Sequence, residues 1–237
     1  MSIFAQLLEF IGDPAHWSGP RGIPVRIFEH VWYTALSLGI AALIALPVGL
    51  LIGHTGKGAF LAISIGNAAR SFPSLGVLTL LVLAVGLGLT PVLVALVVLG
   101  IPPIVAATYE GIRGVSPATV DAARGMGMTE FDVLRRVELP IALPLVISGL
   151  RSSALQIVST ATIAAFVALG GLGRFLIDGL GVRNYAEMVT GAVLVALLAI
   201  AVDLVFALFS RIVVSDGLTG RAPAPSADTD LAPATTH

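Results

Sequence analysis

The chain contains no cysteine, and only 11% of its 237 residues are charged. Without cysteine, a disulfide framework and thiol chemistry are excluded. Soluble domains carry roughly 25% charged residues, whereas this chain is 57% hydrophobic and has a mean hydropathy of +0.99. These values indicate an integral membrane protein. The net charge of −1 gives no indication of a basic surface, so no nucleic-acid partner is expected.

Histidine is scarce, and no nucleotide-binding motif is present. The four histidines are scattered along the chain, at His16, His30, His54 and His237. This spacing does not predict a metal site. Residues 53–57 lack the pattern of a phosphate-binding loop, and the glycine-containing stretches 86–88 and 170–173 lack the strand-turn-helix context of a dinucleotide site. We expect helix ends and packing glycines there, and we predict no cofactor in this chain.

Long apolar segments divide the rest of the sequence. About 20 apolar residues are needed to cross a bilayer. The predicted crossings are 30–53, 59–89 with a break at Pro73, 91–109, 141–169 and 187–213. They form a transmembrane domain over 30–213, preceded by a lead-in over 1–29 that contains a short interfacial segment. The tail over 214–237 is rich in Pro, Ala, Thr and Asp, and we expect it to be a disordered cytoplasmic segment.

The number of crossings depends on residues 59–72. Fourteen residues reach only about 21 Å, which is less than the ~30 Å of the hydrocarbon layer, so five crossings are favoured. Arginines are densest around 116–140, which predicts a cytoplasmic location for that segment. Five crossings then leave Arg21 and Arg26 on the outer side, against the positive-inside rule. Six crossings would correct this and are the alternative.

Several residues within the crossings are candidates for function. Pro102 and Pro103 remove two backbone donors and are expected to kink or split the third crossing. The fourth crossing is unusually polar and includes Gln156. Arg151 and Asp203 place charges within the fourth and fifth crossings, where charge is costly and is a functional candidate by default. Two interpretations of Arg151 are open: it reaches the cytoplasmic surface from about 16 Å along its helix, or it pairs with Asp203 and locks the two crossings.

The segment 116–140 is a polar, compact loop between two crossings, and its residues predict two short helices. The helix-boundary signals are Ser116-Pro117 for the first start, Gly127 for the first end, Thr129 and Asp132 for a second start with a capping box, and Leu139-Pro140 for the second end. The name coupling loop is used for residues 116–140.

The loop carries a spaced signature. It reads Asp121-Ala122-Ala123, three residues, Gly127, nine residues, Val137, one residue, Leu139-Pro140. This resembles the cytoplasmic signature of the permease subunits of bacterial ABC importers, in which glutamate and isoleucine stand at the positions of Asp121 and Val137. The resemblance implies an all-α, type I importer permease fold whose loop forms coupling helices that dock on a cytoplasmic ATPase subunit. ATP and Mg²⁺ would bind that separate chain. We expect the two alanines to expose backbone for this contact.

The stretches 23–38, 67–81, 108–129 and 171–180 resemble the osmoprotectant branch of these permeases, which import glycine betaine, choline and carnitine. The resemblance implies a multi-pass protein in the bacterial cytoplasmic membrane, in contact with lipid. It also implies an extracytoplasmic solute-binding protein, and a second permease copy or paralogue across a two-fold translocation path. Importers of amino acids or of an ergothioneine-like betaine share the fold. An ion-coupled secondary transporter is the alternative from another class, with Asp203 as its main candidate ion ligand.

Overall fold

A computed structural model describes residues 3–58, 60, 64 and 73–213, and all regular structure in these ranges is helical. The α-helices are α1 (Ile3–Gly12), α2 (Ile23–Thr55), α3 (Ser74–Val85), α4 (Leu89–Arg113), α5 (Pro117–Gly125), α6 (Glu130–Val133), α7 (Leu139–Thr160), α8 (Gly173–Val182) and α9 (Tyr185–Val213). Short 3-10 helices cover Pro14–Trp17 and Ala161–Val167, and a π-helical turn covers Leu134–Glu138. The predicted elbow over 59–72, apart from Phe60 and Ser64, and the predicted disordered tail over 214–237 lie outside the described residues.

Within the described residues, four helical stretches are long and apolar enough to cross a membrane: Ile23–Thr55, Leu89–Arg113, Glu130–Val167 and Tyr185–Val213. The helix α3 is apolar but has only 12 residues. Several helices extend beyond their predicted crossings because apolar runs do not show polar helix ends. The helix α2, for example, begins seven residues before position 30. Pro24 stands in its first turn, where proline favours helix initiation, and Arg26 bonds to Glu29 one turn later at 2.9 Å.

The helices α2 and α4 pack in parallel through close glycine contacts. A Cβ built on Gly49 would lie 2.7 Å from the Cβ of Thr108, and one built on Gly53 would lie 2.7 Å from the Cβ of Ile112. Residue numbers rise together along the contact, so both helices end on the same side of the molecule. Only residues without a Cβ allow this approach, as is usual where membrane helices pack closely.

The helix α7 packs antiparallel against α4. A Cβ on Gly149 would lie 2.6 Å from that of Ala107, and the Ser153 hydroxyl donates to the Gly100 carbonyl at 2.8 Å. The prolines were expected to kink or split this crossing; the helix α4 continues through Pro102 and Pro103, so a split is excluded. The φ angle that the proline ring fixes is a helical one, so the helix can continue although the two N–H groups are lost.

Candidate functional site

The coupling loop has most of the predicted local boundaries. Gly127 adopts a φ of +84°, as expected for the residue after a helix end. Thr129 caps α6: its Oγ1 accepts a bond from the Asp132 backbone N–H at 3.2 Å and donates to the Asp132 carboxylate at 2.7 Å. Ser116 occupies the N-cap position of α5, but its side chain makes no capping hydrogen bond. The start of α5 is therefore favoured by Pro117 and not by a side-chain cap.

The prediction that the second loop helix ends at Leu139-Pro140 is wrong. The helix α6, the π-helical turn and α7 follow one another without a break. In the π turn, the backbone N–H of Leu139 donates to the carbonyl of Leu134, five residues earlier. The change from a four-residue to a five-residue hydrogen bond leaves one carbonyl without a backbone donor. It occurs next to Pro140, which has no backbone N–H to donate. The second half of the loop is thus a rigid extension of α7.

The two signature alanines lie in different environments. Ala123 is buried with Val115, Val120 and Val133 in a small apolar core, against which Val137 packs. Ala122 is exposed. Neighbouring residues of a helix point in directions about 100° apart, so the two cannot share one face. The expectation that both expose backbone for a partner is wrong for Ala123, which instead fills the interior of the loop.

The loop also exposes two large apolar side chains that the signature does not include. Met126 is 77% exposed and Phe131 is 68% exposed. They flank Gly127 in sequence, at the end of α5 and the start of α6. Asp121 and Arg124 are exposed nearby and lie 3.6 Å apart. The sequence contained a signal for this surface, because Met126 and Phe131 are large apolar residues in a segment predicted to lie outside the membrane.

A charged network ties the loop to α2. His54 contacts Glu138 at 2.6 Å and Glu130 at 3.2 Å. Arg124 donates two bonds of 2.9 Å to Glu130, and this pairing raises the pKa of the Arg124 guanidinium above its usual value. Sequence reasoning treated His54 only as one of four scattered histidines and missed this contact, which spans 84 positions of the chain. Leu139 packs against an apolar cluster formed by Ile112 of α4 with Ala142 and Val146 of α7, and this contact anchors the loop.

Arg151 and Asp203 form the predicted pair between α7 and α9. Two guanidinium nitrogens of Arg151 donate to the two carboxylate oxygens of Asp203, at 2.5 and 2.6 Å. The sequence left two interpretations of Arg151 open, and the structure has the one in which Arg151 pairs with Asp203. Such a two-point contact fixes both the separation and the rotation of the helices.

One face of α7 is polar and uncovered. Ser148, Ser152, Gln156 and Ser159 recur every three or four residues and are all exposed. Polar side chains at membrane depth face protein or water instead of lipid. Gln156 therefore lies on a face that needs a further partner. Pro102 and Pro103, predicted as pathway candidates, do not share it: Pro102 is buried, and the Pro103 carbonyl lies 3.1 Å from a Cβ built on Gly149 within the packing of α4 on α7.

A charged cavity of about 490 Å³ lies at the opposite end of the helices from the coupling loop. Arginines from the start of α2 and from α8 line it together with acidic residues of α8 and α9: Arg21, Arg26, Arg174, Asp178 and Glu187. Arg174 pairs with Asp178 at 2.6 Å and Arg26 with Glu29 at 2.9 Å. The helix α8 forms one wall of this cavity.

Comparisons with known proteins agree with this geometry. Residues 39–216 match the family model described as binding-protein-dependent transport system inner membrane component. The glycine betaine/carnitine/choline transport system permease protein OpuCB of Bacillus subtilis is 34% identical over 192 residues, covering 81% of this chain and 88% of that protein. The carnitine transport permease protein OpuCB of Listeria monocytogenes is 33% identical, covering 76% and 82%. In structure, the chain resembles the MetNI methionine ABC transporter in its inward-facing conformations, with a TM-score of 0.72, 25% identity, and coverage of 80% of this chain and 95% of that chain.

Proposed function

The chain belongs to the family of binding-protein-dependent transport system inner membrane components, the permeases of ABC importers, and from this we propose that it carries osmoprotectants of the glycine betaine, choline and carnitine class. It is a transport subunit of the inner membrane, and its family works with a solute-binding protein and an ATPase. The substrate class is supported by two relatives of at least 33% identity whose names state these solutes. Amino acids and ergothioneine-like betaines are the alternative solutes.

The observation that carries the coupling role is the continuity of the loop with α7. A cytoplasmic ATPase that binds Met126 and Phe131 would move α6, and α6 passes through the π turn into α7 without a hinge. ATP and Mg²⁺ bind the ATPase in this scheme. The signature residues then have three different roles. Asp121 and Ala122 face the ATPase, and Gly127 makes the turn. The remaining residues hold the loop to α7: Ala123, Val137, Leu139 and Pro140.

Five crossings fit the packing of the helices. Because α2 and α4 run in parallel, five crossings need one return across the membrane between them, and α3 would be the outer half of that return. The helix α1, with 10 residues, is too short to cross. This arrangement puts the lead-in on the outer side and the coupling loop inside.

The exposed polar face of α7 is the proposed wall of the translocation path. A second copy of the permease, or a paralogue, would place its own polar face opposite and enclose a route for a polar solute. At the outer end of the bundle, the charged cavity that includes Arg21 and Glu187 offers ion-pairing groups to a docking binding protein.

The function is tested by reconstituting the permease with its ATPase and binding protein in liposomes and measuring uptake of radiolabelled glycine betaine, choline and carnitine. We expect uptake that requires ATP inside and binding protein outside. Uptake of a different solute under the same conditions would overturn the substrate class and leave the importer reading intact. Uptake driven by an ion gradient without ATP would favour a secondary transporter, with Asp203 as the first residue to test.

Enlarging Ser152 will block the path. A phenylalanine at this position fills the space between two polar faces, so we expect the uptake rate to fall by at least about tenfold, since passage depends on pore diameter. The matched control is Leu197→Phe, on an exposed apolar position of α9. Full uptake by the Ser152→Phe variant, with the variant present in the membrane at wild-type level, would contradict the assignment.

A further inference from the structure

At the inner end of α2, the imidazole of His54 lies between two glutamates of the coupling loop. Its Nδ1 is 2.6 Å from an oxygen of Glu138, and its Nε2 is 3.2 Å from an oxygen of Glu130. The side chain of Glu138 is only 7% exposed, whereas Glu130 is largely exposed. His54 is thus a buried point of attachment between a membrane helix and the loop.

The two contacts require a particular form of the ring. Ionised carboxylates accept hydrogen bonds and cannot donate them. A neutral imidazole has one N–H, so one of its nitrogens would set a lone pair against a carboxylate oxygen. An imidazolium donates from both nitrogens and satisfies both glutamates. The cation also stands in the last turn of α2, where the helix dipole favours positive charge.

The charged groups around the ring favour the same form. His54 and Glu138 line a cavity of about 170 Å³ together with Arg113 at the end of α4 and Asp121 and Arg124 of α5. With Glu130, the cluster holds two guanidinium groups and three carboxylates besides the histidine. A protonated His54 makes it neutral. With a neutral ring, the buried Glu138 has no cation within ion-pair distance among the described residues.

The contacts continue into the signature of the loop. Glu130 binds Arg124 through two bonds of 2.9 Å, and Arg124 lies 3.6 Å from Asp121, the first signature residue. Glu138 lies in the second half of the signature. A single imidazole therefore connects both halves of the signature to α2.

We propose that His54, held as an imidazolium between Glu138 and Glu130, fastens the coupling loop to α2, so that ATPase movement reaches this helix through the ring. His54 is a positioning residue, since it acts through the loop. The inference rests on the proposed coupling function and adds to it a second connection, from the loop to α2.

The test measures solute imported per ATP hydrolysed by the complete reconstituted complex. We expect the His54→Gln variant to lower this ratio at least about threefold, because a neutral amide cannot satisfy two carboxylates as an imidazolium does. The matched control is His16→Gln: His16 lies 3.9 Å from Asp13, outside the loop, and its loss should preserve the wild-type ratio.

A double variant guards against misfolding of the single one. His54→Gln/Glu138→Gln leaves no buried unpaired charge, and we expect it to bind the ATPase and to keep the low ratio. A wild-type ratio in this variant would overturn the inference. Nitrogen NMR of labelled histidine in the wild-type complex gives a readout besides transport: both His54 nitrogens should be protonated, and a neutral ring would also overturn it. An absence of ATP-driven uptake in the wild type would instead count against the proposed function.

Discussion

Replacing Phe131 with alanine will weaken binding of the ATPase by about 30-fold or more, the effect of removing a strong interface anchor. The ring is 68% exposed on a loop predicted to lie outside the membrane, and Met126 of the same loop is 77% exposed. Large exposed apolar side chains on such a segment are candidate contacts for a partner protein. Titration of the purified permease, in detergent, with its ATPase measures the change in Kd.

The chain supplies a matched control for this substitution. Phe166 is 57% exposed, in the 3-10 helix at the opposite end of the bundle. Phe166→Ala removes the same side chain from a similarly exposed position, and the Kd should not change. We expect Met126→Ala to weaken binding as well, by less than Phe131→Ala because the thioether is more flexible. Equal Kd values for the Phe131 and Phe166 variants would show that the ATPase docks elsewhere.

The local features of the coupling loop could be predicted because they depend on residues close in sequence. The positive φ of Gly127 and the Thr129 cap are properties of single turns. The direction in which Ala123 points was also available from helix geometry, but the signature treats the two alanines alike. Periodicity around α5 would have placed Ala123 on the same face as Val120, three residues earlier.

Other features depend on packing and could not be read from one segment. The contact of His54 with Glu138 joins residues 84 positions apart and requires α2 and the loop to meet. The helix continues from α6 into α7 although Pro140 is a local stop signal. It can do so because a π turn precedes Pro140 and accommodates the loss of its backbone N–H. The predicted start of α2, at position 30, comes after its observed start at Ile23. The reason is that apolar runs mark the part of a helix in the hydrocarbon layer and not its polar ends.

Charge reversal at Arg151 or at Asp203 will strongly destabilise the permease. The paired groups meet through two bonds of 2.5 and 2.6 Å in the stretches of α7 and α9 that are long and apolar enough to cross a membrane. Arg151→Asp or Asp203→Arg sets like charges against each other. The two side chains are 44% and 33% exposed in the single chain, so the surrounding lipid and not protein burial would make the unpaired charges costly, and we expect each single reversal to lower the Tm. Thermal unfolding in detergent measures this shift, and uptake should fall with it.

The double reversal Arg151→Asp/Asp203→Arg restores an attractive pair between the same helices, so most of the lost Tm and uptake should return. The comparison pair is Arg174–Asp178, 2.6 Å apart within α8. It joins two residues of one helix and does not connect two helices, so single reversals there should lower the Tm by less than reversal at Arg151 or Asp203. If the double variant regains Tm without uptake, the pair fixes the helices but one of its charges also meets the solute. If it regains neither, the pair does not lock α7 to α9, and each charge acts through contacts of its own.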